Sequence, residues 1–156
     1  MKRDILFRGK KADASEWIYG YFERMNGYSY IVNENMRRIR EVVESGTVGQ
    51  YTGLNDKNGK KIFEGDILRA NNNNVDLHQV VFGKFGVIDV ETESPVDNCI
   101  GWYCKVLPTD ALSKYLPFCL PTPLTDYYIS RCSFEVVGNI YDNPELLGME
   151  NENETD

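Results

Sequence analysis

The sequence predicts a mostly β fold: a single domain of short strands, barrel-like or a sandwich, with hairpins, a long proline-rich loop and a short C-terminal helical turn. Short segments rich in β-branched and aromatic residues recur along the chain, with turn signals between them. Five of the six prolines lie within residues 94–128, where they prevent long helices and central strands. A hydrophobic share of 42% in 156 residues is enough for a folded core.

The N-terminal third predicts a series of strands. The segments "DILFR" and "EWIYGYF" flank the turn-like "GKKADAS" and predict a hairpin. In the second segment, Trp17, Tyr19 and Tyr21 share one face. The dipeptide Asn26-Gly27 predicts a tight turn before the strand "YSYIV". Residues 33–46 carry apolar residues at helical spacing and also an extended-looking end, and we interpret them as strand or loop.

The stretch from Thr47 to Leu68, "TVGQYTGLNDKNGKKIFEGDIL", predicts two strands joined by a turn at Asn58-Gly59 in which glycine takes a positive φ. It begins like a calcium loop, but Lys60 and Lys61 occupy the positions that need an oxygen ligand and glycine. It also lacks the glycine spacing and the Ser or Thr of a phosphate-binding loop. We therefore interpret it as a hairpin, followed by a turn in which Asp66 has a structural role.

The C-terminal half mixes strand and turn signals. The segment "HQVVFGKFGVIDVE" predicts a hairpin about Gly83 to Gly86. Residues 94–128 predict a long ordered loop with one strand at 100–106, and its aromatic residues either line a pocket or pack the loop down. A strand is predicted at 134–141. A one-turn helix follows at 142–148, capped by Asp142 or Asn143, with its leucines on the core. The aromatic residues of the loop are Trp102, Tyr103, Tyr115, Phe118, Tyr127 and Tyr128.

The net charge and its distribution limit the classes of partner that the protein can bind. The net charge is -7, but residues 149–156, predicted to be a disordered acidic tail, hold 4 of the 24 acids, which leaves 20 acids against 17 bases. This balance argues against a broad phosphate-binding face. Two small basic clusters are predicted to be solvated edges rather than binding sites. They are Arg37, Arg38 and Arg40, and Lys57, Lys60 and Lys61.

Neither a metal nor a cofactor is expected. The four cysteines follow the spacing C-x4-C-x14-C-x12-C, with no C-x-x-C pair and a single histidine, His78, upstream. This pattern favours reduced thiols in a reducing compartment over a zinc site. The N-terminus lacks the apolar stretch of a signal peptide, and no run is long enough to span a bilayer, so we expect a cytoplasmic protein. The cysteines are Cys99, Cys104, Cys119 and Cys132.

Two long motifs, "VGQYTGLNDKNGKKIFEGDIL" and "FEVVGNIYDNPELL", with the weaker "ILFRGK" and "WIYGYF", resemble the YopX family of phage and prophage proteins. The resemblance implies a mostly β domain over residues 1–148 and an origin in a phage or an integrated prophage. The family has no established biochemical activity, so the resemblance implies nothing about mechanism. We take the candidate binding residues from the first motif: Gln50, Tyr51, Asn55, Asp56 and Asp66.

Three hypotheses of function follow. The first is a noncatalytic accessory protein that binds a host or phage macromolecule, a protein rather than a nucleic acid, alone or as a homo-oligomer and without a membrane partner. No catalytic constellation is visible in the sequence, so we expect no enzyme. The second is a nucleic-acid-binding barrel with exposed aromatics that stack on bases. The third is a carboxylate-dependent enzyme, for which Asp56, Glu64 and Asp66 are the candidates.

Overall fold

The computed structural model describes residues 2–33, 35, 39–89 and 91–148. The chain forms two compact units: an N-terminal unit of Met1–Leu54 and Lys61–Glu64, and a C-terminal unit of Asn55–Lys60 and Gly65–Asp156. Each unit contains one antiparallel sheet, so the predicted mostly β fold is confirmed. Neither sheet closes into a barrel within the described ranges. The same residues include no helix long and apolar enough to cross a membrane.

The N-terminal unit carries a six-stranded sheet in the order β4-β3-β2-β1-β5-β6. A bridge between Lys11 and Val43 joins the end of β1 to β4, so the sheet curls back on itself without closing. The strands are β1 (Phe7–Lys10), β2 (Trp17–Met25), β3 (Tyr28–Asn33), β4 (Ile39–Val43), β5 (Gly49–Asn55) and β6 (Lys61–Phe63).

The predicted strands of this unit are present, but β1 begins at Phe7 rather than Asp4 and includes Gly9 and Lys10 of the predicted turn. β1 and β2 form the expected antiparallel hairpin. Asn26 and Gly27 both take positive φ, as a two-residue primed turn between β2 and β3 requires. The ambiguous segment 33–46 contains strand β4, while its residues 34 and 36–38 lie outside the described residues. The core side chains of this unit are Ile31, Val32, Val43, Tyr51, Ile62 and Phe63.

The C-terminal unit carries a five-stranded sheet in the order β10-β9-β8-β7-β11. Gly65 has a φ of +84°, and the strand that follows it buries Asp66, Ile67 and Leu68, as the motif predicts. The strands are β7 (Asp66–Arg69), β8 (Leu77–Ile88), β9 (Pro95–Val106), β10 (Thr122–Pro123) and β11 (Glu135–Asn139), with helix α1 (Asp126–Arg131) between the last two.

The predicted hairpin about Gly83 to Gly86 is wrong. β8 runs through both glycines without a turn, and they pair with Gly101 and Asn98 on β9. Neither glycine takes a positive φ, so both are compatible with the extended backbone of a strand. The chain reverses after β8 instead, where the Asp89 carboxylate accepts hydrogen bonds from the backbone N–H groups of Glu91 and Thr92.

The proline-rich segment has more regular structure than predicted. Its expected strand is confirmed, but β9 begins at Pro95, five residues before the predicted start. Helix α1 was missed, because six residues are too few to show a helical period. Its signal is a cap: the Thr125 side chain accepts a hydrogen bond from the Tyr128 N–H at 3.2 Å.

The C-terminal turn packs as predicted. Pro144–Leu147 forms a short 3-10 turn that begins after Asn143, whose side chain makes no cap hydrogen bond. Leu146 and Leu147 pack against a buried cluster of Ile67, Leu77 and Leu107. The predicted tail, residues 149–156, lies outside the described residues.

Candidate functional site

Two of the predicted binding residues, Gln50 and Tyr51, belong to β5 in the N-terminal unit. The Gln50 carbonyl accepts a hydrogen bond from the Glu64 N–H at 3.0 Å. Tyr51 is buried, its ring centroid lies 5.6 Å from that of Phe63, and Lys61 Nζ sits 4.9 Å from its ring. Burial raises the pKa of Tyr51, and the Asp4 carboxylate adds to the rise. Tyr51 therefore belongs to the core beside β6 and Gln50 is half-buried, so the two do not form an exposed site.

The other three predicted residues, Asn55, Asp56 and Asp66, belong to the C-terminal unit. Asn55 is exposed, whereas Asp56 and Asp66 are 6% and 1% exposed. The Asp56 carboxylate accepts three hydrogen bonds from backbone N–H groups of the same unit. A buried carboxylate used in this way positions the chain and is closed to a ligand.

The three carboxylates considered for catalysis are divided in the same way. Glu64 lies in the N-terminal unit, where burial raises the pKa of its carboxyl, while Asp56 and Asp66 lie in the other. Neither unit by itself therefore holds the trio as an acid–base site. Within the described part of the chain, no group of three or more His, Cys, Asp and Glu side chains is placed to hold a metal ion.

The N-terminal unit has a groove along β2, which we call the tyrosine groove. Its volume is about 830 Å³. Tyr19 and Tyr21 alternate along the strand and are 48% and 45% exposed. The N-terminal segment 2–6 also lines it, and Lys61 contributes from β6. Its polar lining residues are Lys2, Arg3, Asp4, Asn33, Asn35 and Lys61.

A packed aromatic base supports Tyr19. Its ring centroid lies 5.5 Å from that of Phe63. The Arg8 guanidinium carbon lies 4.5 Å from the Trp17 ring centroid and 4.9 Å from that of Phe63, and the Arg8 residue is only 6% exposed. Stacking of a guanidinium on aromatic faces in a buried setting is favourable by about 2 kcal/mol. The base therefore fixes Tyr19 while its outer edge stays accessible.

Gly20 allows β2 and β3 to approach closely beside the two tyrosines. A Cβ at this position would collide with the carbonyl oxygen of Val32 on β3. Only glycine lets the two backbones approach at this point, where β2 passes from pairing with β1 to pairing with β3. In the sequence Tyr19-Gly20-Tyr21, the glycine therefore packs against β3, while the two tyrosines are half exposed to solvent.

Charge is unevenly divided between the two units. The N-terminal unit holds 10 Lys and Arg residues against 8 Asp and Glu, whereas the C-terminal unit up to residue 148 holds 7 against 12. Some cations are already paired: Arg40 Nε lies 2.8 Å from Glu23, and Lys11 Nζ lies 3.0 Å from Glu41. Among the described residues that line the groove, the charged ones are the bases Lys2, Arg3 and Lys61 and the acid Asp4.

Sequence reasoning missed this groove, although one signal for it was present. Alternation placed Trp17, Tyr19 and Tyr21 on one strand face, and both tyrosines are exposed as a solvated face requires. The cations at the groove come from segments distant in sequence, which alternation does not connect. Lys61 was predicted to lie with Lys57 and Lys60, yet Lys57 belongs to the other unit and pairs with Glu135 at 3.4 Å. Arg37 and Arg38 of the first basic cluster lie outside the described residues.

The fold places this chain among mostly β proteins with two antiparallel sheets. It belongs to the YopX family: the model of this family, which is described as YopX protein, matches residues 3–148. Among solved structures it is similar to protein EF1440 from Enterococcus faecalis, with 23% sequence identity and a TM-score of 0.45 over 94% of this chain and 100% of that chain. No curated protein matches it.

Proposed function

We propose that this chain is a noncatalytic accessory protein of phage or prophage origin that binds a protein partner through the tyrosine groove, in the cytoplasm of the bacterial host. One observation carries the proposal: Tyr19 and Tyr21 are half exposed on strand β2, and Tyr19 packs on an aromatic base. Tyrosine is enriched among the residues that dominate protein interfaces, because it offers a large contact area at a low entropic cost. A noncatalytic role fits the buried, backbone-bonded state of Asp56.

A protein partner is favoured over a nucleic acid by the number of cations. The described lining of the groove offers three bases, Lys2, Arg3 and Lys61. The N-terminal unit as a whole has two more basic than acidic residues. Three phosphate contacts give weak affinity at physiological salt, since nonspecific binding grows with the number of counterions released.

The test compares capture by the wild-type chain and by two variants. The chain is immobilised in lysate of the bacterial host, and bound proteins are identified and quantified. The double variant Tyr19→Ala/Tyr21→Ala should weaken capture by about tenfold or more. The control is Tyr28→Ala, which removes a tyrosine that is 59% exposed on the same sheet but is not among the groove residues. Equal capture by the double variant and the control would contradict the proposal.

A second candidate function is the binding of single-stranded nucleic acid, because the groove combines aromatic rings with three cations. It predicts a slope of log affinity against log salt of about -2 for single strands, from three phosphate contacts. Fluorescence anisotropy with mixed-sequence probes measures this slope. Submicromolar binding that is lost in Lys2→Ala/Arg3→Ala, but not in Lys84→Ala, would replace the protein partner with a nucleic acid.

A further inference from the structure

The hairpin of β8 and β9 ends in an acidic tip. The two strands pair along their whole length, with Phe82 opposite Trp102 and Ile88 opposite Pro95. Between Gly86 and Asn98 the sequence contains four acids and no Lys or Arg. All four acidic residues are exposed. They are Asp89, Glu91, Glu93 and Asp97, and we call the described residues of this segment, 87–89 and 91–97, the acidic tip.

The acidic tip also exposes apolar side chains. Val87 is 39% exposed and Val96 is 66% exposed. Four carboxylates beside two exposed valines form a surface that is chemically complementary to the groove, whose described lining holds three cations, one carboxylate and two exposed tyrosines. Complementary charge fixes orientation, while contact between valine and tyrosine supplies apolar burial.

We propose that the tyrosine groove of one molecule binds the acidic tip of a second copy, so that the chain associates with itself head to tail. The inference rests on the proposed use of the groove as a binding surface and names one partner for it. The two contacting surfaces differ, so each molecule keeps one groove and one tip for further copies. Such an interface builds a closed ring where its rotation closes, and an open chain where it does not.

A hairpin tip suits this groove better than a polyanion. The described groove lining offers three cations, which is too few to hold a long polyanion tightly at physiological salt. The tip presents only four carboxylates, on a β hairpin whose turn is held by the Asp89 carboxylate. A preformed turn loses little entropy on binding.

The first experiment measures the mass of the wild-type chain by sedimentation equilibrium over a range of protein concentrations. We expect association at about 50 mM salt and dissociation at about 500 mM, because exposed charges are screened within a few ångströms at high salt. A wild-type chain that stays monomeric at low salt and high concentration overturns the proposal.

The second experiment exchanges charges between the two surfaces. The tip variant Glu91→Lys/Glu93→Lys and the groove variant Lys2→Glu/Arg3→Glu should each weaken self-association by more than about tenfold, since each places like charges together. Mixed one to one, they should associate again, because the unchanged groove of the tip variant meets the unchanged tip of the groove variant, and the two reversed surfaces also carry opposite charges. The control, Asp13→Lys/Glu16→Lys, makes the same charge change in the β1–β2 turn and should associate as the wild type does.

The outcomes separate this inference from the proposed function. Failure of the mixed variants to associate, or equal weakening by the control, overturns the self-association. If Tyr19→Ala/Tyr21→Ala still loses capture of another protein from lysate, the proposed function stands without it. If an oligonucleotide competes for the groove while the tip variant changes nothing, the groove is a nucleic-acid site and the inference is wrong.

Discussion

The carboxylate of Asp56 accepts a hydrogen bond of 2.9 Å from the backbone N–H of Val136, 80 residues further along the chain. Its other oxygen accepts hydrogen bonds from the N–H groups of Asn58 and Lys60. One buried side chain therefore closes the loop between β5 and β6 and ties it to β11. This bond connects the two long motifs that resemble the YopX family. We therefore infer that Asp56 stabilises the fold by holding the two motifs together.

Asp56→Ala removes the acceptor for three backbone N–H groups at once. Hydrogen bonds to a charged acceptor are worth more than neutral ones, and buried donors left without a partner are costly, so we expect a loss of about 2–4 kcal/mol in unfolding free energy. Urea denaturation measures the loss. Asp56→Asn, which keeps one carbonyl oxygen, should lose less. Asp13→Ala, at an exposed turn, is the control. A loss of unfolding free energy at Asp56 no larger than at Asp13 would contradict the stabilising role of Asp56.

Gly59 lies in the same loop with a φ of +81°. Asn58 does not share this conformation, so the turn is not the primed type, although the predicted positive φ of the glycine is confirmed. A Cβ at Gly59 would meet nothing within 4 Å, so Gly59→Ala should cost only backbone strain, about 1–2 kcal/mol. Gly86→Ala, on β8 with equally open space and no positive φ, should cost nothing measurable. Equal melting temperatures for the two variants would disprove the strain.

Gly20→Ala tests the close approach of β2 and β3. The new Cβ meets the backbone carbonyl of Val32, which can retreat only if the strand moves. We expect a loss of about 1–3 kcal/mol in unfolding free energy, as in overpacked cores. The exposed tyrosines beside it should report the shift, through changed Tyr19 and Tyr21 ring signals in NMR spectra. An unchanged stability would show that the strands separate freely here.

Signals between near neighbours in sequence predicted most of this fold. The Asn26-Gly27 turn, the Gly65-Asp66 strand start and the turn after Asn143 depend on local backbone preferences, which sequence displays. The hairpin about Gly83 was wrong because pairing with β9, a tertiary contact, keeps β8 extended. The groove was missed for a similar reason, since Lys2 and Lys61 reach β2 only in the folded unit.

The four thiols should differ sharply in reactivity. Cys99 is exposed, whereas Cys104 is fully buried, and burial raises the pKa of Cys104 to about 12. Because the thiolate is the reactive form, Cys104 should react with Ellman's reagent near neutral pH only when the chain unfolds. Cys99→Ser should remove the fastest phase in the native protein. Rapid labelling of Cys104 without denaturant, detected by mass spectrometry, would contradict this burial.

His78 is buried at the start of β8, with its Nε2 2.8 Å from the Asp76 carboxylate and its ring edge-on to Phe134 at 5.1 Å. Burial lowers the pKa of His78 below its ordinary 6.5, and Asp76 partly offsets the shift. Nδ1 is also buried and has no hydrogen-bond partner among the described residues. Since a charged ring must donate from both nitrogens, the fold favours neutral histidine.

This environment predicts the direction in which stability depends on pH. In the unfolded chain His78 takes up a proton near pH 6.5, whereas the folded chain resists protonation until a lower pH. The contribution of His78 is therefore constant above pH 6.5 and destabilises the fold progressively as pH falls from 6.5 to the folded pKa. His78 is the only histidine, so its NMR titration is unambiguous. Asp76→Asn, which removes the carboxylate that raises this pKa, should move the midpoint lower still. A wild-type midpoint at or above 6.5, or a rise in the variant, would show that burial does not control this ring.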